Sequence, residues 1–194
     1  MLNQKEPEII VFAGPNGSGK STALEKFLED LKKSHNIVKH YINADNIKID
    51  KNCTDLEAAQ IAEKMREEAL AAHEDFIFET VFSTDRNLNL LKRAKENGYF
   101  IRCIYVLTCD CQINIARVKS RKIDGGHGVP EEKIVSRYKK ALDLIPAIVE
   151  VCDIVHIYDN SEKPFRIFKK RKTEYSYWPN KYWPESKIKD LVKL

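Results

Sequence analysis

The residues best equipped for chemistry on phosphate stand at positions 14–22, Gly14-Pro15-Asn16-Gly17-Ser18-Gly19-Lys20-Ser21-Thr22. They match G-x-x-x-x-G-K-[ST], with an apolar run before and a helix-forming run after, the context this motif requires. Glycines let the backbone turn its N–H groups toward one point, and a helix N-terminus adds its dipole, so the loop is built to hold the phosphates of ATP. Lys20 supplies a point charge for the β- and γ-phosphates. The Ser21 hydroxyl is a ligand of the kind Mg²⁺ takes.

Phosphate binding alone does not define a reaction. The chain has no N-K-x-D tetrapeptide, which disfavours a GTPase, and no L-S-G-G-Q-like signature, which disfavours a transporter ATPase. A small-molecule kinase remains, and it needs a base for the acceptor hydroxyl and arginines to cover the transferring group. Asp45, in Asn43-Ala44-Asp45, is the candidate base, with a helix N-cap as the alternative. Glu79, ending the apolar run Phe76-Ile77-Phe78, holds metal or substrate, or closes a strand-end salt bridge. Asp110, just before a helix, looks like a cap. Arg117 and Arg121, four apart, share a helix face and are candidate lid arginines, with a solvated basic face as the alternative. Arg137 is a third candidate. His127, among Gly125, Gly126 and Gly128, is either a substrate contact or an exposed loop residue.

These groups need a frame. Apolar runs predict strands over 8–13, 37–43, 75–82, 99–107 and 152–158, with an edge strand over 164–171. Helices are predicted over 19–33, 55–74, 85–97, 110–122 and 131–149, with a turn at 46–50. Alternation of strand and helix implies an α/β fold of the P-loop kinase type: a three-layer sandwich on a mainly parallel sheet, with ligands at the carboxyl ends of its strands. One kinase domain over 1–172 is expected, with a lid around 117–130. A basic, aromatic segment, 173–194, is expected to pack on it.

Four motifs occur in order: 14–22; Asn43-Ala44-Asp45; Phe78-Glu79-Thr80-Val81-Phe82-Ser83; and Gly125-Gly126-His127-Gly128-Val129-Pro130 with Ser136-Arg137-Tyr138. Together they resemble the zeta-toxin family of P-loop kinases, its short stand-alone branch, over roughly residues 8–160. The resemblance implies ATP with Mg²⁺, and transfer to a sugar hydroxyl such as that of UDP-N-acetylglucosamine. It also implies restraint by an antitoxin protein. On it, Lys20 and Ser21 hold phosphate and metal, Asp45 is the base, Glu79 binds substrate, and Arg117 and Arg121 are lid arginines. Val81 and Ser83 stand where larger toxins contact substrate with Thr and Arg, and His127 about where they have a second arginine. Ser83, His127 and Arg137 join the candidate acceptor contacts. A 5′-hydroxyl polynucleotide kinase and a non-catalytic ATP-binding module are the alternatives. By position, Asp159-Asn160-Ser161 passes the adenine or forms a plain turn.

Composition bounds the rest. The chain has 194 residues, 43% hydrophobic, and a net charge of +4. Residues 163–194 carry ten Lys/Arg against three Asp/Glu, leaving −3 for the rest of the chain. No 18-residue apolar run exists, so no membrane span is expected. Five cysteines without framework spacing suggest a reduced cytoplasmic setting. Tyr175, Tyr177, Trp178, Tyr182 and Trp183 lie among the tail lysines. Docking of these rings on the domain is favoured over a protein partner, and nucleic acid is not expected there.

Overall fold

The computed structural model describes residues 6–33, 40–123 and 128–194. One seven-stranded sheet runs through the molecule in the order β2-β3-β1-β4-β5-β6-β7. Its first five members in that order, β2 (His40–Ile42), β3 (Phe76–Thr80), β1 (Glu8–Ala13), β4 (Phe100–Leu107) and β5 (Ile154–Asp159), pair in parallel. β6 (Phe165–Arg171) and β7 (Glu174–Tyr177) add on antiparallel. β1 is central because Ile9 to Ala13 are apolar on both faces, and each is at most 6% exposed. After β1 the chain crosses to β2 and β3 on one side, then to β4 on the other. The carboxyl end of β1 therefore lies at the switch point where open α/β sheets bind ligands.

Eight helices accompany the sheet among the described residues: α1 (Lys20–Lys33), α2 (Ala44–Lys51), α3 (Asp55–Ala71), α4 (Arg86–Glu96), α5 (Cys111–Ile123), α6 (Glu131–Asp143), α7 (Ile145–Val151) and α8 (Glu185–Val192). α3 starts in a reciprocal capping box: Thr54 Oγ accepts from Glu57 N–H, and the Glu57 carboxylate accepts from Thr54 N–H. Its alanines, Ala58, Ala62 and Ala69, let the helix lie close on the core.

The structure redraws some elements. The run expected as one helix over 131–149 breaks at Leu144, because Pro146 starts a new helix and cannot continue an old one. The second strand is described only from His40; 37–39 lie outside the described residues. β6 is not an edge, since β7 pairs outside it. The tail thus adds a strand and a helix to the fold. Trp183 is 2% exposed, and Ile188 and Val192 of α8 share the main core with Ile145, Ile148 and Val149 of α7. The Lys170 ammonium donates to the Val149 and Glu150 carbonyls (2.5 and 3.0 Å), tying β6 to the C-terminal end of α7.

Candidate active site

The turn after β1 is held by its neighbours. Gly17 has φ +75°, and a Cβ there would sit 2.6 Å from the Asn114 carbonyl oxygen of α5. Gly19 has φ +94°, and a Cβ would meet the Asn160 amide at 2.3 Å. Glycine is needed at both positions for conformation and for space. The same neighbours brace the loop. Asn114 donates to the Asn16 carbonyl (2.7 Å) and is itself held by Thr108, while Asn160 donates to the Ser18 carbonyl (2.8 Å). The Gly14 and Ser18 N–H groups donate to the Thr80 and Pro15 carbonyls (both 3.2 Å), and with the Asn16 and Ser18 carbonyls tied back the loop's other N–H groups are left for a ligand. The Asn16 Oδ1 and Ser18 Oγ atoms are buried without a hydrogen-bond partner among the described residues.

Lys20 opens α1 and is 9% exposed. The Glu79 carboxylate, at the end of β3, lies 3.5 Å from its ammonium and accepts the Ser21 hydroxyl at 2.9 Å. Burial pushes the Lys20 ammonium below its ordinary range; Glu79 opposes this, Arg121 adds to it, and Asp45 opposes it more weakly. These four charged groups therefore share one electrostatic neighbourhood. Asp45 is exposed in the first turn of α2 and is not the cap. Asn43 caps, its side chain accepting from the N–H groups of Asp45 and Asn46 at 2.7 and 3.2 Å. The Asp45 carboxylate is thereby left clear of the helix end.

Other candidates sit differently. Arg117 donates to the Ser161 carbonyl (3.2 Å), so it ties α5 to the loop after β5. Arg137 and Ser83 are half-buried, and neither bonds to the Lys20–Glu79 pair among the described residues. Pro15 is buried and its carbonyl accepts from Ser18 N–H (3.2 Å); Thr22 is exposed. His127 and the glycines Gly125 and Gly126 lie outside the described residues. Asp110 behaves as a cap, accepting from Gln112 N–H (2.8 Å).

Several participants gave little sign in the sequence. Tyr41, on β2, accepts from the Asn43 amide (2.6 Å), and burial first, then Glu79 and Asp45, push its phenol up to about 12. It is a neutral hydroxyl beside both carboxylates. Phe82 is 1% exposed yet has φ +54°, a strained conformation for a bulky side chain. Thr80 fixes that bend, its hydroxyl accepting from Phe82 N–H (3.2 Å) and the Asn87 amide (2.8 Å). Asp159-Asn160-Ser161 is a latch. Asp159 accepts from Ser161 and from Asn180 of the tail, and Ser161 accepts from Cys109 N–H.

The pair of Ser21 and Glu79 offers two oxygens beside a phosphate loop, a donor set that fits Mg²⁺ carried in on a nucleotide. Among the described residues no cluster of three or more His, Cys, Asp or Glu could hold a metal, so a metal cage built by protein alone is not what these residues form.

The model of the zeta toxin family matches residues 1–173. An uncharacterized protein of Haemophilus influenzae is 33% identical over 134 residues, 66% of this chain and 91% of that protein. Among solved structures, a chain of AvrRxo1-ORF1:-ORF2 with ATP aligns at TM-score 0.68 and 14% identity, covering 89% of this chain and 60% of that one. A chain from the PezAT chromosomal toxin-antitoxin system of Streptococcus pneumoniae aligns at TM-score 0.58 and 14% identity, covering 98% and 84%. This chain thus spans 60% of the AvrRxo1 chain's length. No described helix is long and apolar enough to cross a membrane. The chain belongs to the zeta toxin family of P-loop kinases.

Proposed function

We propose that the protein transfers the γ-phosphoryl group of ATP to a hydroxyl of a small acceptor, a nucleotide sugar of the UDP-N-acetylglucosamine kind. One observation carries this reading: the Glu79 carboxylate stands between the Lys20 ammonium (3.5 Å) and the Ser21 hydroxyl (2.9 Å), where phosphate and metal charge would replace it as partner. Lys20 neutralises phosphate charge, and the braced loop donates its N–H groups. Ser21 and Glu79 would hold Mg²⁺, which when bound offsets the charge on the β- and γ-phosphates. Asp45, exposed and uncommitted to the cap of α2, accepts the acceptor's proton. Arg121, whose charge already reaches Lys20, covers the transferring group from α5. Arg117 orders the loop at Ser161. Ser83, Arg137 and His127 are assigned to the acceptor side. An antitoxin-type protein partner and action as a toxin are the matching expectations, supported by PezAT being a toxin-antitoxin system.

The test is γ-labelled ATP with UDP-N-acetylglucosamine, and separately with a metabolite extract whose labelled product is identified. Asp45→Asn is expected to keep ATP binding and lose transfer by at least about 10²-fold. Undiminished turnover in that variant removes Asp45 as base. Tight ATP binding with no labelled product from any metabolite would leave only a binding module.

A further inference from the structure

Helices α3, α4, α7 and α8 contribute to the main core on one face of the sheet. On the other face, α1 packs Leu24 and Phe27 against Ile10, Phe12 and Ile77, with Ile104 of β4 at the margin. Past Ile104 no described helix contributes to a core cluster on that face. The period of two and the register, which shifts by a bulge between Ile157 and Tyr158 and so brings Arg166 to the same side as Lys169 and Arg171, place its side chains. Ile10 stands beside Arg102, Arg102 beside Ile154, and Ile154 beside Arg171; His156 pairs with Lys169, and Tyr158 with Arg166. β5 therefore offers His156 and Tyr158, and β6 offers Arg166, Lys169 and Arg171. Trp178 follows β7, its N–H donating to the Ile167 carbonyl.

Contacts agree with that placement. The His156 and Tyr158 rings stack at 6.3 Å, and the Arg166 guanidinium lies 4.2 Å over the Trp178 ring. His156 is pushed down to about 4 by burial and then by Arg166, Lys169 and Arg102, so it is a neutral ring at physiological pH. Arg102 is paired with Glu8 (3.0 Å). Arg166, Lys169 and Arg171 form no ion pair among the described residues, and Glu174 stands opposite Arg171 at the base of the hairpin. Three of the tail's lysines are engaged: Lys181 with Glu162 (2.6 Å), Lys189 with Glu185 (2.7 Å), and Lys187 over Trp183 (4.2 Å). Much of the aromatic-and-basic pattern expected in the tail is thus spent internally, while Trp178 joins a second such pattern on the open sheet.

We propose that this open face of β5 and β6 binds single-stranded nucleic acid, with Arg166, Lys169 and Arg171 on phosphates and the rings of Tyr158, His156 and Trp178 against bases. Unpaired cations alone would suit any polyanion. Flat rings between them favour unstacked bases, as on other sheet platforms. An acidic polypeptide would leave the rings without a matching partner.

The probe is a fluorescein-labelled 12-mer of uridine RNA, followed by anisotropy across a salt series. Three phosphate contacts predict a slope of log K against log salt near about −2. Lys169→Glu with Arg171→Glu is expected to weaken binding at least tenfold and flatten the slope. Tyr158→Ser is expected to weaken it at least about threefold with the slope unchanged. RNA should also quench Trp178 fluorescence, and Trp178→Leu should remove that quenching. ATP binding measured on each variant is expected to match wild type, which shows that the variants are folded. The proposal is overturned if the wild type fails to bind the 12-mer at low salt. It is also overturned if duplex RNA or polyglutamate binds equally well, or if folded variants bind like wild type.

Discussion

Glu79→Gln isolates the electrostatics of the site in the absence of nucleotide. The substitution keeps a carbonyl oxygen for the Ser21 hydroxyl, now 2.9 Å from Glu79, and removes the charge 3.5 Å from Lys20. At an effective dielectric of ~20, that separation corresponds to about 5 kcal/mol of attraction. Both side chains are about nine-tenths buried (11% and 12% exposed), so solvent screening does little to reduce it. Stranding a buried charge costs about 3–5 kcal/mol, which for a chain of this size lowers the melting temperature by at least about 6 °C. Burial already holds Lys20 below its ordinary value, so between its folded and unfolded pKa the unfolded chain binds more protons and stability rises with pH. Removing Glu79 lowers the folded value further, and the variant's deficit should therefore shrink as pH rises from neutral toward 10. Thermal melts with and without ATP provide the assay. ATP should raise the variant's midpoint more than that of wild type, because phosphate restores the missing negative charge. Adding Lys20→Met should recover much of the stability lost. A Glu79→Gln midpoint within about 1 °C of wild type would refute the ion-pair argument, as would a double variant no more stable than the single.

Gly17→Ala forces a Cβ to within 2.6 Å of the Asn114 carbonyl at φ +75°, and calorimetric titration should show ATP binding lost or weakened at least tenfold. Asn114→Ala leaves the Asn16 carbonyl without its 2.7 Å donor; about 1–3 kcal/mol of stability should go, read by urea unfolding, with ATP affinity falling in parallel. His156, held near 4, stays neutral in the fold while the unfolded chain protonates at about 6.5. Its contribution is present above 6.5 and fades as pH falls toward 4, so the urea midpoint of His156→Gln should drop less than that of wild type between pH 7 and 4.5.

The parts of this molecule that were legible in its sequence are those where one physical rule acts over several neighbouring residues. Residues 8–13 read as a buried strand because burial on both faces demands an unbroken apolar run. The phosphate loop was legible because glycine, lysine and hydroxyl must stand in order along one turn. β7 was missed because Glu-Tyr-Ser-Tyr is only four residues long and exposed for most of its length, too short for its alternation of polar residues and tyrosines to stand out. The break before α7 had its signal in Pro146, but the apolar spacing of Ile145, Ile148 and Val149 runs straight across it.

The braces were least legible. Asn114 and Asn160 are single amides, 98 and 142 residues from the carbonyls they hold, and no spacing rule links such distant positions. Asn43 took the cap expected as one alternative for Asp45, and that exchange is a single-residue matter of which side chain meets the first N–H groups of α2. The role proposed for Asp45 rests on it, because a carboxylate spent on a cap has its lone pairs turned to the helix, whereas a proton acceptor needs them clear. The chemistry of the site thus depends on asparagines that perform none of it. Two of them hold loop carbonyls back, and a third takes the cap of α2 and so leaves clear the carboxylate proposed as the base.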